Sequence, residues 1–288
     1  MPILTTKAYA KLNLSLEVLG KREDGFHEIR SILQTIDLWD MVSFEISDSI
    51  KIACDVPELN NQTNIAYKAV SRLKQLSQSE FGIDINIKKG IPIAGGLGGG
   101  SSDAAVTLKA LNELWGLELS SERLEDIGAS VGSDIPALLR EATVLGEGRG
   151  ELISEIRGLD GTPIILIFPK STIENKTKQM YGNIRSHHYT DGSVTDRLIN
   201  NLHNKMIVET DMFNVFETVA FEIFEELQTL KTSVETDTGL SLHLCGAGPG
   251  MFAIDREPSR YPEVREICSL FEAEANLVHA IIPSQMYC

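Results

Sequence analysis

The sequence predicts an α+β fold in two parts, and three observations carry that expectation. Segments that alternate with period 2 are interspersed with segments of helical period, but not in the regular βαβ order of a doubly wound sheet. The length of 288 residues suits about two domains at ~150 residues each. The pattern pauses between Gly146 and Ile156 and restarts beyond, which places the expected division at 1–150 and 151–288.

Taken in order, Thr6 to Leu19 alternates well enough to read as a strand, with Lys11 and Asn13 in its middle. Arg22 to Gly25 is turn chemistry. Val42 to Ile46 and Ile50 to Cys54 read as short strands. Ile65, Ala69, Leu73 and Leu76 give Asn64 to Leu76 a helical face. Ile83, Ile85 and Ile87 alternate strictly, marking a strand that leads through Gly90-Ile-Pro92 into a glycine-rich run. A helix follows from about Ser102 to Leu114. Ser120 and Ser121 cap a further helix over Glu122 to Val131.

Beyond the pause, Ile164 to Phe168 is a compact apolar strand and Lys176 to Ile184 a helix. The polar stretch Ser186 to Ser193 reads as a mobile loop. Met212 to Leu230 repeats apolar residues at helical spacing, and Leu240 to Leu244 is a strand entering Cys245-Gly-Ala-Gly-Pro-Gly250. Glu263 to Ala275 reads as a helix and Leu277 to Ile282 as a last strand. No repeat, low-complexity tract or long linker interrupts the chain.

Composition narrows the function classes. Acidic residues number 41 and basic residues 26, a formal charge of −15. Up to Gly150 there are 21 acids and 15 bases, and after it 20 and 11, giving −6 and −9. Neither part is basic, so a nucleic-acid partner is not expected. A hydrophobic content of 42% with 23% charged residues is that of a globular protein rather than a disordered one. Cys54, Cys245, Cys268 and Cys288 form no CxxC pair and suit neither a zinc site nor a disulfide framework, so thiols in a reducing compartment are expected. No apolar run approaches the ~20 residues of a membrane span, and the first residues lack a signal or transit pattern, so a cytoplasmic protein without a membrane partner is expected.

Chemistry concentrates at Gly95-Gly-Leu-Gly-Gly-Gly100, five glycines among six residues. The run fails the Walker A template, because Ser101 stands where lysine is required, and it fails GxGxxG, because counted from Gly96 the sixth position is Ser101 rather than glycine. The physics of those motifs still holds. Glycines permit left-handed backbone and close approach, so successive amides converge on an anion. The run opens onto a helix whose first turn holds Ser101 and Ser102, adding unpaired N–H groups and the positive end of the helix dipole. Asp103 in such a turn favours the helix whatever binds nearby. Asp134, in Gly-Ser-Asp-Ile-Pro, reads on its own as a turn or N-cap aspartate, and Lys11 as a solvated strand lysine. Together they supply a carboxylate able to accept a proton from a hydroxyl and a cation able to offset negative charge.

The motifs as a set add a resemblance. PIAGGLGGGSSDAA at Pro92 to Ala105 is similar to the phosphate loop of the galactokinase, homoserine kinase, mevalonate kinase and phosphomevalonate kinase superfamily. AKLNLSLEVLGKREDGFHEIRS at Ala10 to Ser31 resembles, more narrowly, the opening of the 4-diphosphocytidyl-2-C-methyl-D-erythritol kinases. GSDIP at Gly132 to Pro136, GEGRGE at Gly146 to Glu151, PKSTIENKTKQMYGNI and LCGAGPGMFAI are similar to later blocks of that family, in the same order.

What the resemblance implies is a two-domain fold with the active site in the inter-domain cleft. It implies an N-terminal ATP-binding domain over 1–150 and a C-terminal domain over 151–288. Gly95, Gly96, Leu97, Gly98, Gly99, Gly100, Ser101 and Ser102 would cradle ATP, with Ser102 a contact for Mg2+. Asn64 would belong to the nucleotide pocket. Asp134 would act on the acceptor hydroxyl, and Lys11 would hold Asp134 and offset developing charge. Asn13 and His27 would contact the substrate, with Phe26 and Tyr181 stacking on the two faces of its cytosine. The expected partner is a small molecule carrying a cytidine diphosphate, with the chain a monomer or homodimer. Phe26 replaces a tyrosine common in the family, Cys245 a serine, and Gly250 a serine or threonine. Two other readings remain at this point: a superfamily kinase for homoserine or mevalonate, and a non-catalytic nucleotide-binding homologue. His187, His188, His203, His243 and His279 show no metal-ligand spacing.

Overall fold

The computed structural model describes residues 3–170, 176–256 and 258–281. Cys288, Ile282 at the end of the last expected strand, and residues 171–175 of the PKSTIENKTKQMYGNI block lie outside the described residues. The chain opens with a long antiparallel hairpin, β1 (Leu4–Lys21) and β2 (His27–Ser47), closed by the turn expected at Arg22 to Gly25. There the Arg22 amide donates to the Phe26 carbonyl at 2.8 Å, and Gly25 takes a φ of 86° that few other residues adopt.

β3 (Ile50–Cys54) leads to α1 (Ile65–Ser77), which returns to β4 (Gly82–Lys88), parallel to β3 and antiparallel to the end of β2. The glycine-rich run enters α2 (Gly99–Leu114), followed by α3 (Ser121–Ala129) and α4 (Ile135–Arg140). β5 (Thr143–Glu147) pairs with Ser31 to Gln34 of β2 and with β6 (Leu152–Glu155). β7 (Pro163–Pro169), α5 (Lys176–Asn183) and α6 (Ser193–His203) come next. β8 (Phe213–Asn214), α7 (Val215–Ile223), α8 (Glu225–Thr238), β9 (His243–Leu244), β10 (Met251–Ile254), α9 (Tyr261–Leu270) and β11 (Ala273–His279) complete the order. β8 joins the first sheet beside β1, and a second sheet runs β11-β7-β10-β9.

Most of the apolar burial among the described residues falls in three clusters. Ala8, Val42, Phe44 and the isoleucines of β4 pack under α1 to α4. Leu12 and Leu14 of β1 meet Leu166, Phe252 and Ile254 of the second sheet. The far face of that sheet packs on Val219, Leu230, Val234 and Val264 of α7 to α9. The result is a mixed α+β architecture.

Several elements differ from expectation for identifiable reasons. Val42 to Ile46 is the end of a strand of 21 residues; Ser31 to Ile36 upstream is buried throughout, so the alternation that betrays a half-buried strand is absent. The helix expected over Met212 to Leu230 is preceded by β8 and breaks at Phe224 (φ −120°, ψ 84°). The last expected helix stops at Leu270, and Ala273 and Ala275 belong to β11. The segment expected to be a mobile loop holds a 3₁₀ turn at Ser186–His188 and is tied to β1 by the Thr190 amide on the Val18 carbonyl at 3.0 Å.

Candidate active site

Residues of the glycine run, Asp134 and the end of the β1–β2 hairpin line one cavity of about 800 Å³. β1 reaches it because the strand is irregular. Its register with β2 shifts between Tyr9 and Lys11 and again between Asn13 and Ser15. Such bulges re-aim side chains. Lys11, which on its own reads as a solvated strand lysine, is instead buried, and with Asn13 it lines the cavity.

Lys11 is fixed from three sides. Its Nζ donates to Asn13 Oδ1 at 2.6 Å and to the Gly96 carbonyl at 3.3 Å, and stands 3.5 Å from Asp134 Oδ2. Asn13 in turn donates to Ser31 Oγ at 2.8 Å, and Ser31 to the Ser15 carbonyl at 2.6 Å. The Lys11 amide donates to the Leu97 carbonyl at 3.0 Å, so the strand and the glycine run are joined through backbone as well. A buried ammonium with this many acceptors is held in one geometry.

Asp134 occupies the N-cap position of α4, where Pro136 at the second residue suits a helix start, yet its side chain caps no amide. The carboxylate faces Lys11 and is 40% exposed. Gly132 brings this turn against α2: a β-carbon there would lie 4.0 Å from Ser101 Oγ.

The glycine run has the expected backbone. Gly96 and Gly98 take φ of 87° and 73°, and Gly98 is the N-cap of α2. The helix therefore starts at Gly99, three residues before Ser102, and the amides of Gly99, Gly100 and Ser101 form its open first turn. The run is also packed from behind by Cys245 to Gly250. A β-carbon on Gly96 would lie 1.8 Å from the Cys245 carbonyl oxygen, one on Gly246 2.9 Å from the Gly96 carbonyl, and one on Gly250 2.5 Å from the Gly95 carbonyl. Glycine at 250, where the family has serine or threonine, is thus demanded here by contact between two backbones. Asn214 holds the second loop by donating to the Leu244 and Gly246 carbonyls at 2.9 and 2.7 Å.

At the other end of the cavity, the His27 ring stacks on Tyr181 at 5.3 Å with an interplanar angle of 18°. Phe26, 52% exposed, lies under the Arg149 guanidinium at 4.8 Å. Phe26 and Tyr181 line the same cavity, each ring with a side chain of the protein against one face. Burial and the nearby Lys21 lower the pKa of His27. Burial and the charge of Asp134 raise that of the Tyr181 phenol, which stays protonated.

Two expected residues stand apart. Ser102 is buried and donates its hydroxyl to the Tyr9 carbonyl at 2.6 Å, facing β1 rather than the cavity. Its neighbour Ser101 lines the cavity. Asn64 caps α1, accepting from the Ala66 amide at 2.9 Å and donating to the Leu59 carbonyl at 3.1 Å; Ile65 beside it reaches the cavity. The sequence reading passed over Ser31, Arg149, Gly246 and Asn214. Arg149 and Gly246 lie inside blocks that carry the resemblance, but only contact geometry singles them out.

Comparison with known proteins gives the family and the fold. The GHMP kinases N terminal domain matches residues 64–141. The chain is 38% identical over 253 residues to the 4-diphosphocytidyl-2-C-methyl-D-erythritol kinase of Dehalococcoides mccartyi, covering 88% of this chain and 89% of that one. It is 36% identical over 280 residues to the enzyme of that name from Acetivibrio thermocellus, covering 96% of each. Among solved structures, a 4-(cytidine 5'-diphospho)-2C-methyl-D-erythritol kinase superposes with a TM-score of 0.79 at 27% identity, over 96% of this chain and all of that one. A homoserine kinase from Cytophaga hutchinsonii shares the fold, with a TM-score of 0.75 at 15% identity, over 98% of this chain and 95% of that one. The chain belongs to the 4-diphosphocytidyl-2-C-methyl-D-erythritol kinase family, within the GHMP kinase fold.

Proposed function

We propose that the cavity transfers the γ-phosphoryl group of ATP to the tertiary hydroxyl of 4-diphosphocytidyl-2-C-methyl-D-erythritol, a step of the non-mevalonate route to isoprenoid precursors. One observation carries the reading: Lys11 Nζ, bonded to the Gly96 carbonyl, stands 3.5 Å from an Asp134 carboxylate that no helix amide occupies. Base, cation and anion-binding loop thus meet at one point.

Phosphoryl transfer asks little covalent chemistry of a protein, and alignment and charge stabilisation supply most of the rate. The amides at the start of α2 and those of Gly95 to Gly98 hold the phosphates. Asp134 accepts the proton of the acceptor hydroxyl as its oxygen meets phosphorus. Lys11 keeps the Asp134 carboxylate in place and offsets charge on the transferring oxygens. Asn13, with its other hydrogen bond on Ser31, fixes the lysine. At the far end the acceptor's cytosine stacks on Phe26 and Tyr181, displacing Arg149 and His27 from those rings, and His27 reads the base edge. The part through residue 150 supplies the phosphate loop and the base, and 151–288 supplies Tyr181 and the loop behind the glycines.

Magnesium fits the donors present. An ion that takes most of its ligands from phosphates and water needs one or two protein oxygens, and the Ser101 hydroxyl lines the cavity beside the glycine run. This hydroxyl would hold the ion, whose chemistry there would be to offset charge on the phosphates. Ser102, with its hydroxyl committed to Tyr9, is the poorer ligand. No helix among the described residues is long and apolar enough to cross a membrane.

The test is single-turnover transfer by Asp134→Asn. The substitution keeps size and removes the base, so the rate falls by ~10²–10⁴ while ATP affinity is kept. Full turnover in Asp134→Asn would refute the assigned base.

A further inference from the structure

Behind the glycine run lies a buried charge cluster that the proposed chemistry does not use. Lys89 follows β4, and its Nζ bonds Asp40 on β2 and Asp103 on α2, the latter at 2.9 Å. Asp40 is fully buried, Asp103 is 2% exposed, and the lysine side chain 9%. Asp40 does more than pair with the lysine. Its Oδ1 accepts the Gly90 and Ile91 amides at 2.7 and 2.8 Å, the first links of the segment that becomes the glycine run.

In sequence, Lys89 and Asp103 bracket that run. In space they meet, so the ammonium closes the loop at its base. Nζ lies directly beneath the loop's exit, since a β-carbon on Gly99 would stand 3.3 Å from it. Two carboxylates share one ammonium, and Asp103 Oδ1 is buried and accepts no hydrogen bond. Such a cluster is a poor stabiliser, because burying ions costs about as much as their attraction returns, and a surplus charge costs more. What it provides is a fixed geometry. The entry of the loop is bound to β2, and the exit to the same ammonium.

We propose that Lys89, held between Asp40 and Asp103, is a positioning residue for the phosphate loop, setting its affinity for the phosphates of a nucleotide without touching them. The inference rests on the reading of the glycine run as the ATP site. Amides that must converge on phosphate oxygens work only when placed to within about 0.5 Å. A loop tied at its base keeps that placement, and a loop released on the α2 side loses it.

The test substitutes the α2 arm. Asp103→Ala leaves Lys89 balanced by Asp40, so no charge is stranded, but cuts the tie to α2. Its Kd and KM for ATP rise about tenfold, while kcat at saturating ATP, the acceptor KM and the Kd of adenosine stay within about twofold. Asp103→Asn keeps an acceptor for the lysine and restores ATP affinity to within about threefold. If Asp103→Ala fails to fold, Asp103→Leu fills the same space and carries the same expectation.

Unchanged ATP affinity in the folded Ala or Leu variant would overturn the inference, as would equal losses in Ala and Asn. So would tighter ATP binding in both variants, which would make Asp103 merely a repelling charge. Failure of the wild-type protein to bind ATP would instead overturn the reading of the loop itself, and this inference with it.

Discussion

Substituting Gly96 by alanine tests whether the two glycine loops form a single rigid device. The added carbon would stand 1.8 Å from the Cys245 carbonyl oxygen, where real contacts essentially never fall below 3.0 Å. The obstacle is backbone, not the end of a flexible side chain, so the loops must separate by about 1.2 Å, the difference between those two distances. At φ 87° the alanine also adds a left-handed penalty of about 1–2 kcal/mol. A misplacement of about 1 Å at a reacting centre costs on the order of 10²-fold, so kcat/KM for ATP falls by at least that factor. Gly116→Ala is the control: φ is 61° but nothing lies within 4 Å of the new carbon. It costs about 1 kcal/mol of stability, a few degrees in Tm, and leaves KM unchanged. Steady-state kinetics and calorimetric ATP binding on both variants decide the matter. Wild-type KM and kcat in Gly96→Ala, or an equal loss in Gly116→Ala, would refute the reasoning.

Three further outcomes follow from the same geometry. Lys11→Ala lowers the transfer rate by ~10²–10⁴, and with Asp134→Asn the combined loss is far smaller than the product of the two, because both act on one transition state. Burial and Lys21 push the His27 pKa below its ordinary 6.5, so the neutral ring is the native form. The acceptor KM is therefore flat above that value and rises once falling pH protonates the ring; in His27→Gln this rise disappears. With a charge of −15, the protein shows no mobility shift with DNA or RNA at micromolar concentration and about 150 mM salt.

The sequence made the site's chemical groups legible but not their supports. The glycine run stands out because its residue type and spacing report directly on anion binding, whereas Lys11 and Asp134 read singly as solvated and turn residues and Tyr181 entered only through the family resemblance. The side-chain partners of Ser102 and Asn64 were not legible for one reason: they are set by tertiary packing. Ser102 sits on the face of α2 turned to β1, and Asn64 is consumed by a helix cap. Gly246 drew no reading of its own and Gly250 read as a lost hydroxyl, until the contact between two backbones remote in sequence gave both a reason. In the fold, elements buried on one face were read well, as at Ile83, Ile85 and Ile87. The buried half of β2, covered on both faces, carried no alternation to read.

The most direct test of the central claim is ATP-dependent phosphoryl transfer across a panel of acceptors. The panel is 4-diphosphocytidyl-2-C-methyl-D-erythritol, its uridine analogue, homoserine and mevalonate. Stacking on Phe26 and Tyr181 tolerates any base, so discrimination rests on hydrogen bonds at His27, and the uridine analogue loses at least about tenfold in kcat/KM. Homoserine and mevalonate, which have no ring to place on Phe26 and Tyr181, are not turned over. Equal use of the cytidine and uridine acceptors, or faster transfer to homoserine or mevalonate, would contradict the account.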